Sequence, residues 1–365
     1  MNLLHLRGWA AVLLLAAGAH GADYLVYAGT YTTGTSRGIY GYRFDPRNAK
    51  FKPLGLMAAL PNPTFLVAHP DNRFLYAVSQ QAGGSVNSFL INPKTGKLSP
   101  INQASSKGDS PCHLALDRSG RWIAVANYGS GSLAVLPLRR DGGVGKALAF
   151  EEHHGASRVH CVLFALDNRF LLAADVGLNR IYVYRFNAEN GALTPADPPY
   201  IEGPPGAGVR HLAFHPNGSV LFAINETKPS VTSYFFDLKK GQLHPLATIP
   251  IVPDAYTGPD LGGEIAVNAA GTVVYASNRG NDSMALVVPD PVRFTLSLLE
   301  ITPLTGRTPR HFALDPTGAY MLVGNQDSGN LSAYTVHPHT GQLRPVGRPT
   351  PTIDKPACVV IVPAP

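Results

Sequence analysis

The chain of 365 residues places histidine, arginine and glutamate at matched offsets within a recurring segment, and these residue types move protons and hold negative charge. One position of the repeat reads Thr64, Cys112, His160, Arg210, Gly263, Arg310 and Ala357; the next reads Phe65, His113, Cys161, His211, Glu264, His311 and Cys358. A second pair reads Thr30, Ser79, Asn127, Asp175, Asn225, Asn278 and Asn325, then Tyr31, Gln80, Tyr128, Val176, Glu226, Arg279 and Gln326. An imidazole or carboxylate in such a set can take a proton from water. A guanidinium can stabilise an oxyanion or grip an acid group by two parallel hydrogen bonds, with no metal involved.

The elements that must position these residues follow from the repeat. A polar turn leads into a short apolar run that ends on a polar residue, as in Asp71 to Ser79, with anchors at Leu25, Phe74, Trp122, Phe170, Val220, Val273 and Tyr320. The anchors lie 47 to 53 residues apart. A period near 50 with several short strands per unit is the signature of a β-propeller, because one four-stranded sheet cannot bury its own faces alone. The expected fold is all-β, a seven-bladed β-propeller. Each unit reads as an inner strand such as 209–215, the anchor run, an alternating third strand such as 180–186, and an outer strand after a glycine turn such as Gly191-Ala192-Leu193. Residues 23–29 match a second strand and 356–362 match an inner strand, so the C-terminal strand is expected to pair into the N-terminal blade and close the ring. Because the first two strands are antiparallel, the end of the second lies beside the start of the first. All four positions therefore meet at one mouth of the central channel.

Bulk properties narrow the partners. A net charge of +6 favours anionic partners weakly, and no basic run alternates with aromatics, so nucleic acid is not expected. Arg7, the apolar stretch 9–17 and Ala19-His20-Gly21 read as a signal peptide over 1–21, leaving a propeller over 22–365. That predicts a periplasmic or secreted protein with no stable membrane insertion after cleavage. Cys112, Cys161 and Cys358 are odd in number and occupy the same strand of different repeats, and are read as buried free thiols. There is no Gly-x-Ser-x-Gly elbow and no His-Glu-x-x-His helix. His153 and His154 lie in a polar loop without a matching carboxylate set, so neither metal nor cofactor is expected.

Much of this polar set has a plain structural explanation. Asparagines cap blade turns, and about half of the histidines are expected to tie blades together by hydrogen bonds. The arginines and Glu226 are different, since a charge near a ring axis is costly unless it is paired or meets a ligand. His113, Asn127, His211, Glu264, Arg310 and Gln326 are retained as candidate substrate contacts.

Gly29-Thr30-Tyr31-Thr32, Pro111-Cys112-His113 with Ala126-Asn127-Tyr128-Gly129, Gly208-Val209-Arg210-His211 with Asn225-Glu226, Ser277-Asn278-Arg279-Gly280, Pro309-Arg310 and Asn325-Gln326 together resemble the seven-bladed lactonase family. That family includes propeller-type 6-phosphogluconolactonases and fungal carboxy-muconate cyclases. The resemblance implies a catalytic set of one histidine, two arginines and one glutamate, which fall on His160, Arg210, Arg279 and Glu226. Val209 stands where many members have proline, and the stretch before His160 is shortened. The implied activity is opening of a small anionic sugar lactone, or work on a related acid, by base-assisted attack of water. Glu226 or His160 could be the base. A guanidinium beside Glu226 weakens that carboxylate as a base, which favours His160, with Glu226 as its orienter or as partner to Arg210. A muconate-type cyclase and a non-catalytic propeller that binds a ligand or protein are the alternatives.

Overall fold

The computed structural model describes residues 23–347 and 351–364; the expected signal peptide lies outside the described residues. Seven four-stranded antiparallel sheets form the blades. Blade one joins Pro356–Pro363 to Tyr24–Thr30, Gly38–Asp45 and Lys50–Ala59, and blades two to seven occupy 66–105, 111–152, 159–202, 209–250, 262–303 and 309–345. The ring closes as expected. Leu25 pairs with Val362 and Tyr27 with Val360, so the two chain ends share one sheet and no inner strand is left unpaired. No helix among the described residues is long and apolar enough to cross a membrane.

The second strand of each blade is the apolar anchor run, and its residues are buried almost without interruption because both sheet faces are covered by neighbouring blades. The apolar core of the described residues divides into seven clusters, each shared by two adjacent blades. Between blades four and five, for example, the Phe170 ring meets Phe236 edge-on at 5.4 Å. The hairpins to the outer strands turn on glycine. Gly191 has φ +76, and a side chain there would run into the Trp122 indole of the preceding blade.

Two features of the inner strands bear on function. First, the strand carries a β-bulge at its mouth end in most blades. Pairing steps from Val159↔Asp175 to Cys161↔Ala174, from Val209↔Asn225 to His211↔Ile224 and from Pro309↔Asn325 to His311↔Gly324. His160, Arg210 and Arg310 are the extra residues, and a bulge re-aims such a side chain out of the regular alternation. Second, the residue that follows reaches across to the next blade all round the ring. Phe65 packs on His113 at 4.1 Å, His113 Nδ1 accepts Val162 N–H at 3.4 Å, and the Cys161 thiol meets the Leu212 backbone. His211 Nδ1 donates to Glu264 at 3.0 Å, Glu264 Oε2 lies 3.4 Å from His311 Nε2, His311 Nδ1 accepts Val359 N–H at 3.3 Å, and Cys358 Sγ accepts Leu66 N–H at 3.4 Å. This layer fastens seven blades around the axis.

Candidate active site

The bulge residues His160, Arg210 and Arg310 line a narrow cavity at the mouth of the channel, together with Phe65, Gln80 and Cys112. Arg210 is 2% exposed. Its Nη1 donates to Gly263 O at 2.5 Å, while its Nε has no hydrogen-bond partner and stands 3.8 Å from Glu226 Oε2. Burial, with Arg279 adding to it, brings the guanidinium down to about 9, so it remains a cation at neutral pH.

Glu226 and Arg279 form the next layer outward, at the ends of second strands in blades five and six. Arg279 Nη2 donates to Glu226 Oε1 at 2.6 Å and to Gly262 O at 2.7 Å, and Nε donates to Gly262 O at 3.1 Å. Burial pushes the Glu226 carboxyl up, yet Arg210, Arg279 and Arg310 outweigh it and hold the group below the usual carboxylate range. A carboxylate so committed is a weak base. Glu226 is thus a partner of Arg279 and Arg210 and makes no hydrogen bond to His160, whose orientation comes from elsewhere.

That source is His211. His160 Nδ1 lies 3.0 Å from His211 Nε2, and His211 Nδ1 lies 3.0 Å from both oxygens of Glu264. Burial, then Arg210, hold His160 well below its ordinary value, and burial takes His211 to about 4, so both rings are neutral at pH 7. Glu264 behaves oppositely: burial would raise its pKa, but His211, His311 and Arg210 outweigh that and keep it ionised. It also accepts the Ile265 N–H at 3.0 Å.

Of the six expected substrate contacts, His211, Glu264 and Arg310 line the cavity, whereas His113, Asn127 and Gln326 do not. Asn127 is fully buried, and its Nδ2 donates to Ser106 O at 3.0 Å and Ser132 Oγ at 3.2 Å, which holds a turn inside the blade. Asn225, Asn278 and Asn325 also spend their amides on serines of the adjacent strand. His113 ties blade three to blade four, and His211 and Glu264 use their polar atoms on each other and on neighbouring blades. Gln326 lines a separate groove between blades seven and one with Tyr40 and Lys355. Arg310 does face the cavity; its guanidinium stacks 5.3 Å over Tyr31 and has no carboxylate within ion-pair distance among the described residues. The His153 side chain, expected in a polar loop without a matching carboxylate set, is buried against Tyr184 Oη at 2.6 Å and Asp175 at 3.4 Å.

Tyr31, Gln80 and Tyr128 were not singled out from sequence. Gln80 borders the cavity, Tyr31 supports Arg310, and Tyr128 packs edge-on to His160 at 5.6 Å. The signal was present, because all three occupy the repeat position of Glu226 and Arg279. No cluster of three or more His, Cys, Asp or Glu side chains suited to a metal occurs among the described residues.

The family model described as a lactonase with a seven-bladed β-propeller matches residues 25–361. This chain belongs to the seven-bladed lactonases. As such it is a carboxylic ester hydrolase that opens lactones. The 6-phosphogluconolactonase of Bacillus subtilis is 30% identical over 345 residues, covering 92% of this chain and 97% of the relative. Among solved structures, the periplasmic gluconolactonase of Pseudomonas aeruginosa superposes with a TM-score of 0.88 at 31% identity, covering 94% of this chain and all of that one. A protein described as a 6-phosphogluconolactonase from Bacteroides fragilis gives 0.86 at 29% identity, with 94% and 99% covered. These proteins match this chain over nearly the whole ring.

Proposed function

We propose that this lactonase opens an unphosphorylated sugar lactone outside the cytoplasm, with His160 as general base and Arg210 as oxyanion donor. One observation carries the reading: a buried cation with an uncommitted N–H, Arg210, lines the same cavity as a neutral imidazole, His160. His160 takes a proton from water, the resulting hydroxide attacks the ring carbonyl, and the charge that grows on the carbonyl oxygen is met by Arg210. When the tetrahedral intermediate collapses, the ring oxygen leaves and recovers the proton from His160. The negative charge on Glu226 keeps Arg210 and Arg279 from repelling each other apart.

The charge arrangement of the mouth favours a substrate without phosphate. Arg210 and Arg279 are already bonded to backbone carbonyls and to Glu226, and this commitment favours a substrate that brings no phosphate to them. Likeness to a periplasmic gluconolactonase and the signal-like residues 1–21 point the same way.

A pH-stat assay comparing glucono-δ-lactone with its 6-phosphate, with spontaneous opening subtracted, tests this. Faster turnover of the unphosphorylated lactone is expected. A preference for the phosphate ester, or no acid release from any sugar lactone, contradicts it. Sequencing the mature amino terminus checks export.

A further inference from the structure

Glu264, His211 and His160 lie in a row across blades six, five and four, and the hydrogen-bond donors around the row decide where each proton sits. Glu264 is ringed by N–H groups: Ile265 N and His211 Nδ1 at 3.0 Å, and His311 Nε2 at 3.4 Å. The His311 Nδ1 accepts from Val359 N–H, which leaves the proton on Nε2, facing Glu264. A carboxylate can only accept, so His211 Nδ1 carries a proton and its Nε2 carries a lone pair. That lone pair faces His160 Nδ1 at 3.0 Å, so Nδ1 of His160 is the donor. The lone pair of His160 is then on Nε2, on a ring that lines the cavity.

Charge explains why a lone imidazole would not suffice. A proton held on His160 would create a cation close to Arg210, with Arg279 and Arg310 also nearby. The same charge moved one ring inward lies against the Glu264 carboxylate at 3.0 Å. We propose that Glu264, His211 and His160 form a proton relay: as His160 Nε2 takes a proton from the attacking water, its Nδ1 proton passes to His211 Nε2, leaving the positive charge on His211 beside Glu264. One O–H bond breaks and one N–H bond forms at His160 Nε2, while one N–H bond breaks at Nδ1 and one forms at His211. The reverse shift returns the proton to the departing ring oxygen. His211 and Glu264 also border the cavity, but their polar atoms are spent on each other, on His160, Ile265 and His311, so they are positioning residues that act through His160. The relay rests on the assignment of His160 as base.

Other titratable groups face the row. His113 of blade three lies 4.9 Å from the His211 ring, Tyr128 lies 5.6 Å from His160, and His311 contacts Glu264. Glu226 is the remaining acid of the mouth, and it is bound to Arg279. Burial keeps His113 and His311 neutral, so neither competes for the proton at neutral pH.

Long-range proton–nitrogen correlation spectra of the full-length protein labelled with ¹⁵N-histidine, assigned with H160Q and H211N, read the tautomers directly. His160 and His211 are both expected to carry the proton on Nδ1 at pH 7; a proton on Nε2 of His160 overturns the relay whatever the activity. In Glu264→Gln the amide oxygen still accepts from His211 but the charge is gone. The expected kcat loss is about 10²-fold, with KM nearly unchanged and the acid limb of kcat/KM moved to lower pH, because His211 holds a proton less firmly. A loss of kcat with the acid limb in place marks a purely structural role and overturns the relay. If the variant does not fold, the wild-type tautomers still decide. The expected tautomers in a protein that opens no lactone would defeat the assignment of His160 as a lactonase base, leaving the hydrogen-bonded row itself intact.

Discussion

His160 Nδ1 and His211 Nε2 lie 3.0 Å apart although 51 residues separate them and each belongs to a different blade. The contact depends on the bulge at His160, which takes that side chain out of strand alternation and brings it to the next inner strand. The proposed base and the state of its proton are thus set by different parts of the chain: the first by blade four, the second by blades five and six.

Acid should destabilise the protein well above the carboxylate range. His113, His160, His211 and His311 all have folded-state pKa values lowered by burial, that of His211 to about 4. Between the unfolded value near 6.5 and the folded one, the unfolded chain binds more protons, so stability falls as pH drops. Each imidazole contributes up to about 1.4 kcal/mol per pH unit in that window. Denaturant unfolding from pH 7.5 to 4.5 measures it, and a flat profile above pH 5 contradicts the neutral, buried histidines.

Glu226→Gln keeps a hydrogen-bond acceptor for Arg279 but removes the charge that offsets two guanidinium groups. The expected cost at pH 7 is about 2–3 kcal/mol, the price of leaving buried cations uncompensated. The folded pKa of Glu226 is depressed, so its contribution is complete above the unfolded value near 4.5 and is lost as pH falls through the folded one. The stability gap between wild type and variant should therefore close toward pH 3. A gap that is constant with pH points to packing and not charge.

Thiol chemistry should be silent in the folded state. Cys112, Cys161 and Cys358 are free and buried, and burial pushes the Cys112 thiol up to about 12 and the other two higher still. Ellman titration at pH 8 is expected to find no reactive thiol in the native protein and three after unfolding without reductant. Two fewer after unfolding would reveal a disulfide.

The ring was legible because it is arithmetic: anchors such as Phe74, Trp122 and Phe170 recur at a fixed spacing, and the strands lie where that spacing puts them. Convergence of Arg210, Glu226 and Arg279 at one mouth was also legible, since strand polarity alone decides which ends meet. The pairing within the mouth was not. Whether His160 leans on Glu226 or on His211 depends on bulges and on the rotation between blades, which leave no mark in the apolar pattern. Asn127 shows the opposite failure: a polar residue at the right end of the right strand spends its amide on Ser106 and Ser132, because a buried turn must satisfy its own polar groups first.

The most direct test of the mouth as the site of lactone opening is the turnover of His160→Gln on glucono-δ-lactone, followed by pH-stat with the spontaneous rate subtracted. The glutamine preserves size and can still donate toward His211, but it cannot take a proton from water. A fall in kcat of about 10²–10⁴-fold with KM little changed is the expected result. Turnover equal to that of the wild-type protein would contradict His160 as the base.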